Sequence, residues 1–242
     1  MAIVDYGAPL PAGDELAIDV PGLSAEHECA AALERFRVRV SAQGESHRDA
    51  GAFLRGEPGE PLGAAFDLEW STLGDPYAYR AATRYEIPCS VRGSVTVGDE
   101  EIELSGTGQR DHSWGIRDWW SADWMWSAGR LEDGTRFHGV EFRIPGAPPI
   151  GVGYLQPPEG GVVELDLVSA SEEVGGDGLI TAAQITLGAL ALDVEPLAFG
   201  PLLLRAPDGR TSQFPRAMCR VTAGDGRRGH AWVEWNRNEP SS

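Results

Sequence analysis

The sequence predicts an all-β protein. Runs of alternating polar and apolar residues recur along it, 31 glycines and 17 prolines punctuate those runs, and apolar spacing of helical period is scarce. Taken in order, Ser24 to Arg35 is the one stretch that reads as a helix, with Ser24 as its N-cap. Val95 and Val97, the turn Gly98-Asp99-Glu100-Glu101, and then Ile102 and Leu104 read as a β-hairpin. Trp124 to Leu131 and Thr135 to Ile144 read as a second hairpin around Asp133-Gly134. Val163, Leu165 and Leu167 alternate with Glu164 and Asp166, as a strand with one dry and one wet face does. Between Gln184 and Val194 the apolar parity flips at Gly188, which predicts a bulge. The last third reads as a meander: Pro201 to Arg205, a Pro-Asp-Gly turn at 207 to 209, Arg216 to Thr222, a glycine-rich turn, then His230 to Trp235.

The 242 residues suit two compact domains or one large β domain, and the composition changes most sharply near residue 110. The net charge is −17, and every basic residue is arginine, which removes P-loop and Schiff-base lysine chemistry. That excess of negative charge argues against nucleic acid and anionic membranes as partners. Cys29, Cys89 and Cys219 are odd in number and widely spaced, so neither a disulfide framework nor a cysteine zinc site is expected, and a reducing compartment fits. The start of the chain has no basic region followed by an apolar one, and no apolar stretch reaches the ~20 residues of a spanning helix. A soluble, cytoplasmic protein is expected, without a membrane span.

Five of the eight tryptophans, Trp114, Trp119, Trp120, Trp124 and Trp126, fall within 13 residues. Around them Arg110, Arg117, Arg130, Arg136 and Arg143 nearly balance Asp111, Asp118, Asp123, Glu132, Asp133 and Glu141. A locally balanced, indole-rich stretch in an acidic chain points to paired charges packed about an apolar site. A two-residue Asp133-Gly134 turn sets residue i opposite 267 − i, which places Glu141 against Trp126 and Arg143 against Trp124; a loop one residue longer exchanges the faces. Among indoles, Glu141 becomes a candidate proton donor, because desolvation raises a carboxyl pKa; beside solvent, Glu141 and Arg143 are ordinary surface charges. His112 is a second acid/base candidate. His27, His47, His112, His138 and His230 never approach a metal-ligand spacing, so no metal is expected; nor does the sequence hold a nucleophile elbow or a dinucleotide fingerprint, and no cofactor is expected.

Gly108-Gln-Arg-Asp-His-Ser-Trp-Gly-Ile-Arg-Asp-Trp-Trp120, followed by Trp124-x-Trp126 and Leu131-x-Asp-Gly134, resembles the hydroxyneurosporene synthase (carotenoid 1,2-hydratase)-like superfamily, to which AttH-like proteins also belong. The match is clearest from about residue 84 to 144 and looser from Tyr154 to Trp235. The resemblance implies two tandem lipocalin-like β-barrel or sandwich domains, 1–110 and 111–242, the first short for a complete barrel. It also implies that the domains join near residues 108 to 118, with the motif at that junction and a largely apolar ligand site beside it. In the hydratases the motif His and Trp, and a carboxyl on the strand after the next hairpin, are associated with protonating a polyene. Their counterparts here are His112, Trp114 and Glu141.

Three functions follow as expectations. One is acid-assisted hydration, cyclisation or isomerisation of a polyene, isoprenoid or polyketide, with Glu141 or His112 donating the proton and the five indoles binding ligand. Another is a cofactor-free carrier of an apolar small molecule. In the third, Arg110, Asp111, Gly115, Arg117 and Asp118 form a buried structural clasp without a ligand.

Overall fold

The structure, a computed structural model, describes residues 16–80, 82–115 and 118–239. It is built almost wholly of antiparallel strands and divides into two compact units. The first holds the chain up to His47 together with Gly59–Trp114; the second holds Arg48–Pro58 and the chain from Gly115 on.

The first unit is one curled sheet of β1 (Leu16–Val20), β2 (Leu23–Ala31), β3 (Arg35–Ser46), β4 (Glu60–Thr72), β5 (Tyr77–Ala78), β6 (Arg84–Val97) and β7 (Glu100–Ser113). Strands follow one another in sequence, with β4 and β5 sharing one edge of β6 and β7 lying along the other. The expected hairpin is present as β6 and β7, with Val95 opposite Ile102 and Gly98-Asp99 as its two-residue turn.

The helix expected over Ser24 to Arg35 is instead β2 and the turn after it. Helix propensity in that stretch is worth only tenths of a kcal/mol per residue, and the ladder overrides it. Leu23, Ala25 and His27 join the apolar face, while Glu26 and Glu28 turn outward, where Arg39 bridges to them at 2.8 and 3.5 Å.

The second unit contains a five-residue helix, α1 (Ala50–Leu54), capped by the Asp49 carboxylate on Gly51 N. Its strands are β8 (Asp123–Leu131), β9 (Arg136–Arg143), β10 (Ile150–Gln156), β11 (Val163–Leu165), β12 (Val168–Val174), β13 (Ile180–Leu187), β14 (Leu190–Phe199), β15 (Leu202–Arg205), β16 (Thr211–Phe214), β17 (Arg216–Ala223) and β18 (Arg228–Glu239). The main sheet runs β11-β10-β9-β8-β18-β17-β14-β13-β12, with the β15–β16 hairpin against the end of β18. The last third is not a simple meander, because β15 pairs with β16 and not with β17, which lies between β14 and β18. Gly188 marks a two-residue hairpin turn, Leu187 opposite Leu190, rather than a bulge.

This sheet closes on itself. β12 packs on β9 and β10 so tightly that a Cβ at Gly151 would lie 1.9 Å from the Val168 carbonyl oxygen. The interior is filled by Met125, Phe137, Ile185, Leu187, Val221, Val233 and Trp235, all essentially inaccessible. The first sheet's apolar face differs in kind: Phe36, Val38, Val40, Phe66, Leu68, Trp70 and Val95 are only half-buried.

The β8–β9 register departs from the expected one by one residue. The loop is three residues, Glu132-Asp133-Gly134, with Gly134 at φ +92° closing a type I turn plus bulge. Trp126 thus lies opposite Val140, Trp124 opposite Phe142, and Glu141 opposite Met125. Every side chain of β9 exchanges faces, and Glu141 points toward the interior of the closed sheet.

Candidate functional site

Strand periodicity divides the Arg110–Trp114 stretch between two faces. Arg110 and His112 point to the apolar side of the first sheet, whereas Asp111 and Ser113 point to the other. Trp114 extends the ladder through its N–H to the Thr83 carbonyl at 3.0 Å, and its ring joins Arg110 and His112 on their side.

Tyr85, directly opposite His112 on β6, stacks on the imidazole with ring centroids 5.2 Å apart and planes at 1°. The Trp114 ring, 52% exposed, lies 5.5 Å from His112 and 6.3 Å from Tyr85. The Arg110 guanidinium sits over Phe36 of β3, 3.7 Å from the ring centroid, and 5.2 Å from Tyr85, whose hydroxyl accepts from Nη1 at 3.3 Å. Since β4 and β6 separate β3 from β7, that contact requires the sheet to curl toward its apolar face.

Gly108 assists the packing, because a Cβ there would meet the Trp70 ring at 2.6 Å. His27 of β2 lies edge-on to Phe36 at 5.4 Å. Burial, then the Arg110 and His112 charges, lower its pKa, so the ring stays neutral to more acidic pH than a free histidine.

Arg110 is 6% exposed. Its Nε and Nη2 are buried and have no hydrogen-bond partner, and among the described residues no carboxylate pairs with it. The neighbouring acids lie on the opposite face. Glu86, fully buried, accepts from Arg84 Nε at 2.8 Å and from Gln109 Nε2 at 3.2 Å, while Asp111 pairs with Arg84.

The expected buried clasp is therefore corrected. Asp111 pairs with Arg84 and is exposed, as are Gly115 and Asp118, whose carboxylate caps Trp120 N at 3.0 Å. Among the described residues of the clasp only Arg110 is buried; along β7 alternation sends Asp111 outward, and Gly115 and Asp118 lie beyond the strand's end. Arg117 lies outside the described residues. Removing Asp111 should cost under about 1 kcal/mol, as for other half-exposed ion pairs, rather than the several expected of a buried one.

The tryptophans fall into separate clusters. Trp114 belongs to the first unit. In the second, Trp119, Trp124 and Phe214 pack edge to face at 5.1 to 5.4 Å, with Trp120 beneath Arg210 at 5.6 Å. Trp126 instead contacts buried His138, which donates Nδ1–H to the Ser127 carbonyl at 2.9 Å and lies near Tyr154.

Glu141, 4% exposed, accepts from Arg143 Nε at 2.7 Å and from the Ala170 N–H at 3.1 Å. Arg143 also donates to the Ala170 carbonyl at 3.1 Å and pairs with Glu172. Two side chains of β9 thus satisfy backbone groups of β12 where no strand pairing joins them, and this clamp closes the second sheet.

His27, Phe36, Trp70 and Tyr85 of the cluster were not singled out by sequence. They lie up to 85 positions from the motif, and their apolar alternation is the same as that of any strand facing a core.

Two curled antiparallel sheets, each with an apolar inner face, define a lipocalin-like β protein. The chain belongs to the DUF7064 family, described as a domain of unknown function, whose model matches residues 1–239. Among curated proteins none matches. Of solved structures, the chain is similar to an AttH-like protein of Nitrosomonas europaea, at 14% identity and a TM-score of 0.54, over 88% of this chain and 85% of that one. It is also similar to kievitone hydratase from Nectria haematococca, at 10% identity and a TM-score of 0.52, over 91% and 84%. At these identities the likeness is one of fold.

Proposed function

We propose that this protein binds an apolar, unsaturated small molecule on the inner face of the first sheet. The supporting observation is the contrast between the two interiors. The second is filled by its own side chains, while the first leaves aromatic and branched residues half exposed beside a row formed by Tyr85, His112 and Trp114. Apolar surface of this extent, rimmed by a few polar groups, is what a ligand site offers.

A second reading adds chemistry to binding: acid-assisted hydration, cyclisation or isomerisation. It is favoured by His112, whose imidazole lies against two aromatic rings on that face, where a proton can be delivered and developing cation charge met by π-faces. The fold is also that of a hydratase. Of the two acid candidates His112 is the better placed, since both carboxylate oxygens of Glu141 are occupied by N–H donors in the second unit.

Titration with polyenes, fatty acids, steroids and polycyclic aromatics, followed by tryptophan fluorescence, tests the binding. A saturable change is expected, and Val38→Glu, which places a charge on the face, should abolish it. A flat response to every class would reject the proposal. For the catalytic reading, His112→Gln should retain binding and lose turnover of whichever ligand is converted.

A further inference from the structure

The Arg110 side chain poses a problem that the apolar face by itself does not solve. A guanidinium taken out of water needs compensation, and stacking on Phe36 with one hydrogen bond to Tyr85 supplies only part of it. The atoms left over are Nε and Nη2, the two that lie on one edge of the guanidinium.

That edge is the fork that grips a carboxylate with two parallel hydrogen bonds. The same protein shows it in use: Arg37 donates through Nε and Nη2 to the two oxygens of Asp67 at 2.7 and 2.5 Å on the outer side of the same sheet. On the inner side the fork is buried and has no acceptor. Trp70 Nε1, on the same apolar face, is likewise buried without one. Three buried nitrogens there, Arg110 Nε and Nη2 and Trp70 Nε1, thus have no acceptor among the described residues, although the chain as a whole carries a charge of −17.

We propose that Arg110 is the anchor for the carboxylate of an apolar acid, whose hydrocarbon or aromatic body lies along Phe36, Trp70, Val91 and the Tyr85–His112–Trp114 row. This rests on the reading of that face as the ligand site and narrows it to amphiphilic monocarboxylates. A phosphate or sulfate ester is a poorer match, because a single fork supplies two donors to a group with more charge and more oxygens.

The chain's overall negative charge makes the inference testable, since non-specific electrostatics disfavour anions and a preference for one must come from a local site. The probes are two matched pairs, all-trans-retinoate with retinol and 1-pyrenebutyrate with 1-pyrenebutanol, titrated near neutral pH and followed by tryptophan quenching. In each pair the acid is expected to bind about tenfold or more tightly than the alcohol, as charge-assisted hydrogen bonds to a buried fork allow.

Arg110→Gln should erase that preference, bringing each acid down to the affinity of its alcohol. Arg110→Lys, which keeps the charge without the fork, serves if the glutamine variant fails to fold, and should lose most of the preference. Equal affinity for acid and alcohol in the wild type, or a preference that survives either substitution, would overturn the anchor while leaving the apolar site standing. Failure of all four probes to bind would overturn the reading of the face and the anchor with it.

Discussion

Glu141→Gln should damage the second unit through its stability. The glutamate ties the end of β9 to β12, with one oxygen on Arg143 Nε at 2.7 Å and the other on the Ala170 N–H at 3.1 Å. A glutamine can satisfy one of those donors with its oxygen; its NH2 then faces the other, donor against donor. The loss is one charge-assisted hydrogen bond, together with a donor left unsatisfied at a site only 4% exposed. Breaking a buried pair outright costs about 3–5 kcal/mol, and Arg143 keeps Glu172 as a second partner, so about 2–3 kcal/mol is the expected penalty. For a chain of this size that corresponds to a fall in melting temperature of about 5–10 °C. Thermal unfolding followed by circular dichroism reads it directly. Arg143→Met should cost a similar amount, with the double variant less than additive because both act in one clamp. A Glu141→Gln protein that melts with the wild type and yet loses turnover would refute the clamp and restore this residue as the proton donor.

Other consequences follow from particular contacts. Gly151→Ala should unfold or severely destabilise the protein, because its Cβ would stand 1.9 Å from the Val168 carbonyl oxygen, whereas Gly106→Ala meets nothing within 4 Å and should melt with the wild type. Of the three cysteines, exposed Cys29 should react readily with a thiol reagent in the native state. Cys89 and Cys219 should wait for unfolding, since burial raises both thiols and pushes Cys219 up to about 12. Asp133 is held below the usual aspartate range by the Thr135 N–H first and then by Arg227. A depressed carboxyl stabilises the fold above its unfolded pKa of ~3.9 and loses that contribution as pH falls through the folded value. Asp133→Asn should therefore melt below the wild type at neutral pH, with the difference closing in the acid range below about pH 4.

How far the sequence could be read is set by the range of the interaction that decides each feature. The all-β class and the β6–β7 hairpin were legible, because alternation and a Gly-Asp turn act over a few residues. Ser24 to Arg35 was not, because its neighbours on β1 and β3 decide it and its own propensities are too weak to resist them. The hairpin carrying Glu141 lay between these cases. Its turn was recognised from Asp133-Gly134, but whether two or three residues bridge the strands depends on the hydrogen bond of Leu131 with Thr135, and that one residue changed the face of Glu141.

The sequence by itself determined that the chain forms strands with alternating faces, but not that Arg110, His112 and Trp114 lie on one of them. Only the tertiary structure decided what that face meets. The curl of the first sheet brings Phe36 beside Arg110 across two intervening strands and His27 across three, and alternation along β7 sends Asp111 to Arg84 on the other side. Closure likewise separates the two units: β12 seals against β9 and β10 in the second, while among the described residues β1 and β7 remain edge strands of the first. Curl and closure sum small twists over many strands, and no local pattern of residues encodes such a sum.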